Sequence, residues 1–401
     1  MNRLSNEMAR NFLVNYHNLN GYGDLEGKNG VKKYFEKVGC IQFDPLNVVG
    51  RNPDLVLQSR VKNYQPQILF DLLYNDRTLI DGTDKVLSIF LQEDYLRMTR
   101  IRKATTEALK GVLSYRGSSE ALEILEDIKA FIRNNGPQPA NKIKIGGKAQ
   151  KGSWGHKNLS SAALDYLYHS GQLGIKTKQK TQKIYDLSEN LLPKELLMGE
   201  DPFLSEHEFL KWYIKRRVGS IGLVWNKNTG AWVGHYIHNS NRRVEIINEL
   251  VEEGELIACQ IEGAKETFYM RKEDSFYLET NTDNDVVQFI APLDNFIWDR
   301  IMIEELFNFK YSWEVYTPIE KRKYGYYVLP VLYKNRFIAR FEPEINRGTE
   351  PLQIKHWWWE TDVKISEEMI SAIKDCFQRF SLYLGVEMME DKEWKTKLNL
   401  W

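Results

Sequence analysis

Cysteine is scarce: Cys40, Cys259 and Cys376 are the three in 401 residues, far apart and odd in number. That spacing makes neither a disulfide framework nor a zinc motif. It suits a reducing compartment in which the thiols are buried packing groups. Net charge is missing as well, with 55 basic residues against 55 acidic. A neutral chain is no general polyanion binder, but a local concentration of charge still sets an electrostatic footprint. There is no apolar run of membrane-spanning length, and residues 1–17 read as an amphipathic helix rather than a leader. Neither a membrane span nor a secretory signal is therefore expected, and a cytoplasmic location is. Phosphate loop, GxGxxG and zinc-deaminase signatures are absent. The seven histidines are scattered, and His235 with His238 lacks a third ligand. No metal and no nucleotide cofactor are expected.

What is present begins with ample apolar material, 42% of the chain. A chain of this length should divide into roughly two to four domains. The opening residues carry Leu4, Met8 and Phe12, then Val31, Tyr34, Phe35 and Val38, at helical spacing up to Gly39. A short alternating stretch, Cys40-Ile-Gln-Phe-Asp-Pro45, follows, and helical pattern returns as far as the breaker Asn134-Asn-Gly-Pro137.

Beyond the breaker the chain repeats itself. Leu159, Ala162, Ala163, Tyr166 and Leu167 form one helical face that ends at Gly171, and two β-prone runs follow. Val244, Ile247, Leu250 and Val251 form another that ends at Gly254, again before two β-prone runs. The two glycines lie 83 residues apart, about the length of a small domain. Helix, glycine and hairpin make the closing half of a winged helix, in which the helix can enter a major groove and the hairpin lies over the backbone. A helix–hairpin serving only as scaffold is the plainer reading. The charge distribution favours DNA for the first copy: residues 141–183 hold nine lysines and one acid, Asp165. Lys157 stands at the helix entrance, and Lys176, Lys178 and Lys180 alternate along one strand, so they should share a face and meet phosphates. In the second copy Arg242 and Arg243 stand at the helix entrance beside a nearly neutral hairpin, which suits a scaffold or a weaker contact.

From residue 281 the pattern turns β-prone and aromatic, with Lys334-Asn335 as a hairpin tip and helix again over 365–386. The Trp357-Trp358-Trp359 run reads as packing rather than a base-stacking platform. The expected organisation is α+β: an N-terminal helical or winged-helix segment 1–136, a basic winged helix 137–197, a second repeat 198–280, and a β-rich, barrel-like domain 281–401 closed by a helix.

One short pattern could carry chemistry. On an extended segment Ile41 and Phe43 would face a core while Gln42 and Asp44 share the other face. A carboxylate can orient a water and offset the charge of an oxocarbenium-like sugar, and an amide can hold that water in line. By itself a Gln-x-Asp triplet is common, and a surface strand edge is the simpler reading.

The ordered motifs Leu4-Ser5, Gly39-Cys-Ile-Gln-Phe-Asp-Pro-Leu-Asn-Val-Val49, Trp154-Gly155, Tyr185-Asp-Leu187, Asp294-Asn-Phe-Ile-Trp-Asp-Arg300 and Tyr324-Gly-Tyr-Tyr-Val-Leu-Pro330 run along nearly the whole chain. Together they resemble the YcaQ-like winged-helix DNA glycosylases, which repair alkylated purines and interstrand crosslinks. The resemblance implies tandem winged helices around a DNA channel, a β-barrel-like C-terminal domain and metal-free base excision. It places Gln42 and Asp44 on the catalytic Gln-x-Asp motif, in the crosslink-unhooking form. Asn47, Arg51, Arg60, Trp298 and Arg300 join the lysines and Arg242–Arg243 as expected DNA contacts. Two segments depart from the family. Arg51-Asn52-Pro53-Asp54 stands where the family carries a histidine pair, and Ile80-Asp-Gly-Thr-Asp84 where it carries an aromatic–Trp–x–His run. Asp54, Asp81 or Asp84 would then stand near the channel in place of the histidines. The expected function is a monomeric, monofunctional glycosylase acting on damaged double-stranded DNA, nucleoid-associated when bound. A non-catalytic winged-helix DNA-binding protein or transcriptional regulator is the alternative that the missing histidines motivate.

Overall fold

Local capping chemistry starts the chain. Ser5 accepts the Met8 N–H at 3.1 Å and opens the helix Asn6–Tyr16, whose Phe12, Leu13 and Tyr16 are buried. The helix Gly27–Val38 buries Val31, Tyr34, Phe35 and Val38 and stops at Gly39, which takes φ +75°. That left-handed turn is one only glycine adopts cheaply. The strand Cys40–Gln42 leaves directly from it. These elements belong to a computed structural model that describes residues 2–147, 158–179, 181–280, 284–344, 351–398 and 400.

The chain forms two compact units, one of Met1–Leu69 with Leu210–Trp401 and the other of Phe70–Phe209. Helices and strands are mixed in both, as an α+β chain requires. No helix among the described residues is long and apolar enough to cross a membrane. All three cysteines are buried and free, as the sequence suggested.

The predicted repeat is present down to individual hydrogen bonds. The helix Leu159–His169 leads through Gly171, at φ +78°, into the hairpin Leu173–Gln179/Gln182–Leu187. The helix Ser240–Glu252 leads through Gly254, at φ +75°, into Leu256–Ile261/Thr267–Arg271. At the first helix end the N–H groups of Ser170, Gly171 and Gln172 donate to the carbonyls of Tyr166, Tyr168 and Leu167. At the second, Glu253, Gly254 and Glu255 donate to Glu249, Val251 and Leu250, each donor and acceptor displaced by the same 83 residues. A third hairpin, Leu79–Thr83/Leu87–Leu91, was not legible in the sequence. Its closing bond, Gln92 N–H to Thr78 C=O, has counterparts in Ser188 to Gln172 and Lys272 to Glu255. Arg77, at φ +58°, stands where the other two copies have glycine, which hid the pattern.

The two predicted copies differ in what borders their hairpins. In the larger unit the hairpin is enclosed: Asn2–Leu4 pairs in parallel with Leu256–Ile261, and Val224–Trp225 pairs with Thr267–Arg271. In the smaller unit Gln138–Pro139 covers Gln182–Leu187, and Leu173–Gln179 forms the other edge of that sheet. A bulge between Ile175 and Thr177 sets Lys176 outside the pairing.

The region after residue 281 was expected to be β-rich, but among the described residues its helices Arg300–Phe307, Glu367–Leu384 and Asp391–Lys397 outweigh its four strands, and its sheet is open. Val287–Phe289, Leu329–Tyr333, Arg336–Pro343 and Ile354–Trp359 run antiparallel in that order, with the first and last as edges and no closure into a barrel. Lys334-Asn335 is the tip between the central strands, and the helix Glu367–Leu384 packs on the sheet through Phe377 and Phe380 against Phe289. Trp357 is core, stacked on Phe341.

Candidate active site

The strand bearing Gln42 is held from behind by side-chain amides. Asn295 donates to the Cys40 carbonyl at 2.9 Å and to the Ser220 carbonyl at 3.0 Å, fully buried. Asn52 donates to the Gln42 carbonyl at 2.8 Å while its Oδ1 accepts the Leu293 N–H at 3.1 Å. Two amides thus fix the backbone of a three-residue strand that is too short to fix itself. Asn52 lies in a segment that departs from the family pattern, and its work here is structural.

The chain leaves the strand at Gln42, two residues short of Asp44, so strict alternation does not extend to it. Asp44 lies in a turn of its own making: its Oδ1 accepts the Leu46 N–H at 2.8 Å, an Asx turn ahead of Pro45. Asn47 caps the next turn in a wider loop, its Oδ1 accepting the Gly50 N–H three residues on at 3.0 Å. Gly50 has φ +128°, and a Cβ there would overlap the Tyr383 hydroxyl. Tyr383 stacks with Tyr64, whose hydroxyl donates to Asp54 at 2.6 Å. The loop after the motif is therefore seated on the helix Glu367–Leu384.

Asp44 is half-buried, and the described residues supply one hydrogen bond, to Oδ1, and no cation. Burial raises its pKa above the ordinary carboxylate value, and the Leu46 N–H offsets only part of that. Its field reaches the buried phenol of Tyr327, whose ionisation it further disfavours. Gln42 is also half-buried. The shared face expected for Gln42 and Asp44 would need a strand that runs on to Asp44, and it stops at Gln42. A half-buried carboxylate in the turn after a strand fixed from behind can orient water and face a developing positive charge.

Several sequence-based DNA contacts prove to be internal. Arg60 is fully buried: Nη2 donates to Asp294 at 2.6 Å and Nη1 to the Val56 carbonyl at 2.8 Å, with the guanidinium over the Tyr34 ring. Arg243 is buried too, donating to Asn226 Oδ1 at 2.9 Å, Asn228 Oδ1 at 2.9 Å and the Ile237 carbonyl at 2.6 Å. Trp298 is buried with its indole N–H on the Leu293 carbonyl at 2.9 Å. All three side chains are engaged by partners inside the protein. The Asp294–Arg300 motif is consequently a latch: Asp294 holds Arg60, Asn295 holds Cys40, and Asp299 accepts from the Trp225 indole at 2.8 Å. Arg300 is half-buried above the Tyr311 ring.

The lysines divide. Lys176 is exposed at the bulge. Lys178 turns inward to Asp81, at 2.9 Å, with both side chains about one-twentieth exposed. The bulge breaks the alternation that was to place them on one face. Lys157 and Lys180 lie outside the described residues. Asn47 and Arg242 are exposed and Arg51 half-buried. Of the acids expected in place of the histidines, Asp54 is bonded to Tyr64, Asp81 to Lys178, and Asp84 is buried. Among the described residues no group of three His, Cys, Asp or Glu side chains could hold a metal.

The comparisons agree with the resemblance. The chain has the fold of the Streptomyces sahachiroi DNA glycosylase AlkZ, with a TM-score of 0.62, 11% identity, and coverage of 96% of this chain and 98% of that one. A family model described as DNA glycosylase AlkZ-like matches residues 35–382. This chain belongs to the AlkZ-like family of DNA glycosylases.

Proposed function

We propose that the chain is a monofunctional glycosylase that hydrolyses the N-glycosidic bond of N7-alkylated purines, including those within interstrand crosslinks, in double-stranded DNA. The observation that carries this reading is Asp44, half-buried and without a cation partner among the described residues. An N7-alkylated purine is cationic, so it leaves as a neutral base and needs little help from a general acid. The remaining tasks are to orient a water towards C1′ and to offset the charge growing on the sugar. Asp44 performs both and Gln42 holds the water. Lys176, Arg242 and Asn47, which are exposed, and the half-buried Arg51 meet the DNA backbone, and the helix–hairpin copies act as winged helices. The protein works as a monomer, in the cytoplasm, on the nucleoid.

The test is release of free base from duplexes carrying N7-methylguanine or an N7 crosslink, with an undamaged duplex as control. Release from damaged duplex alone is expected. The missing family histidines, for which Asp54, Asp81 and Asp84 provide no unpaired replacement, favour one other reading: a winged-helix regulator without catalysis. Sequence-preferring binding to undamaged DNA with no base release is its signature.

A further inference from the structure

The smaller unit contains a cleft that the proposed chemistry does not use. It encloses about 660 Å³, mouth included, between the hairpin strand at Ile80–Thr83, the end of the helix Leu159–His169 and the strand at Leu173–Ile175. Ile80, Phe90, Leu173, Ile175 and Leu191 give it apolar walls.

Two arginines dominate its polar groups. Arg102 is stacked on the Tyr95 ring at 3.8 Å and donates to the Tyr95 carbonyl and, at 2.9 Å, to Thr99 Oγ1. Arg77 donates to the carbonyls of Ile175 at 2.8 Å and Lys176 at 2.6 Å. Neither guanidinium forms an ion pair with an acid among the described residues. The one acid in the wall, Asp81, is already neutralised by Lys178 at 2.9 Å. The hydroxyl of Tyr168, also in the wall, is buried with no hydrogen-bond partner in the described structure. His169 meets Thr83 Oγ1 through Nδ1 at 3.2 Å, and burial lowers its pKa, so it stands neutral at pH near 7.

Arg102 is desolvated with no acid acting on it, Arg77 feels Asp81 and Asp186 without an ion pair to either, and the Tyr168 hydroxyl has no partner among the described residues. We infer that this cleft binds a small organic anion with an apolar body, whose charged end is held by Arg102 and Arg77 and whose ring system lies against Ile80, Phe90 and Ile175. Because Gly171 and the strand bearing Lys176 form part of its wall, occupancy would also set the position of the basic hairpin.

The test uses two fluorescent dyes of similar shape, anilinonaphthalene sulfonate, which is an anion, and the neutral phenylnaphthylamine. The full-length wild type should bind the sulfonate saturably, at one site per chain. Arg102→Gln should weaken that binding about tenfold or more while changing the neutral dye by less than about twofold, and Arg102→Lys should recover part of the loss. Circular dichroism verifies the fold of each variant, and Arg77→Gln makes the same comparison should Arg102→Gln not fold. Equal losses for both dyes, unchanged sulfonate binding in the folded variants, or no saturable binding by the wild type would overturn the inference.

Discussion

The two units handle positive charge in opposite ways. In the larger unit Arg60, Arg217, Arg243 and Arg340 are almost completely buried, each donating to carbonyls, amides or carboxylates. In the smaller unit the basic run is lysine, with Lys176 exposed and Lys178 turned inward. The planar guanidinium can be satisfied by fixed carbonyls, whereas the ammonium is compact and strongly hydrated. The four arginines of the larger unit are held by fixed acceptors, whereas the smaller unit's hairpin sets one lysine inward against Asp81 and leaves another exposed on an edge strand. The two copies of the helix–hairpin repeat show the contrast on nearly the same backbone: one is enclosed by strands on both sides, the other carries the exposed lysine.

That contrast can be broken most forcefully at Asp294. Replacing it with alanine strands the Arg60 guanidinium in the core and should cost about 3–5 kcal/mol in urea unfolding. A loss below about 1 kcal/mol would mean that the ion pair is not what keeps this arginine inside. Arg243→Ala leaves the Asn226 and Ile237 acceptors unpaired and should cost about 2 kcal/mol. It should leave the salt dependence of DNA binding untouched; a reduced dependence would return Arg243 to the interface. Lys176→Ala should do the reverse. Stability should change by less than about 0.5 kcal/mol, and the slope of log affinity against log salt should fall by about 0.9 if one phosphate contact is lost.

Carboxylates show the same division. Asp294 has a cation and Asp44 has none among the described residues. Burial raises the Asp44 pKa, so the ionised form that orients water appears only above the ordinary carboxylate range near about 3.9. The acid limb of kcat/KM should inflect above that value. An inflection at or below it would place the essential carboxylate elsewhere.

The sequence made one half of this contrast legible. Gly171 and Gly254 were readable because a helix that turns sharply into a hairpin needs a positive φ, and glycine marks it. The third hairpin stayed hidden because Arg77 takes that conformation without the marker. Arg60 reads as a surface contact because its partner Asp294 lies 234 residues away, and Arg243 because acceptors 6 to 17 residues off in a loop leave no pattern of their own. Lys176 and Lys178 were assigned one face by strict alternation, and one bulged residue undid it. Gln42 and Asp44 stand out in the sequence only as a weak pattern, which the family resemblance raises to a candidate site. Their support from Asn52 and Asn295 was not foreseen, because an amide aimed at a distant backbone carbonyl leaves no local pattern.

The central claim is that Asp44 acts on the reacting sugar. Single-turnover release of N7-methylguanine from a duplex should be compared for the wild type and Asp44→Asn, with unfolding midpoints and duplex affinity measured alongside. A fall of about 10²–10⁴ in rate with fold and affinity retained is the predicted result. Equal rates in the two proteins would contradict it.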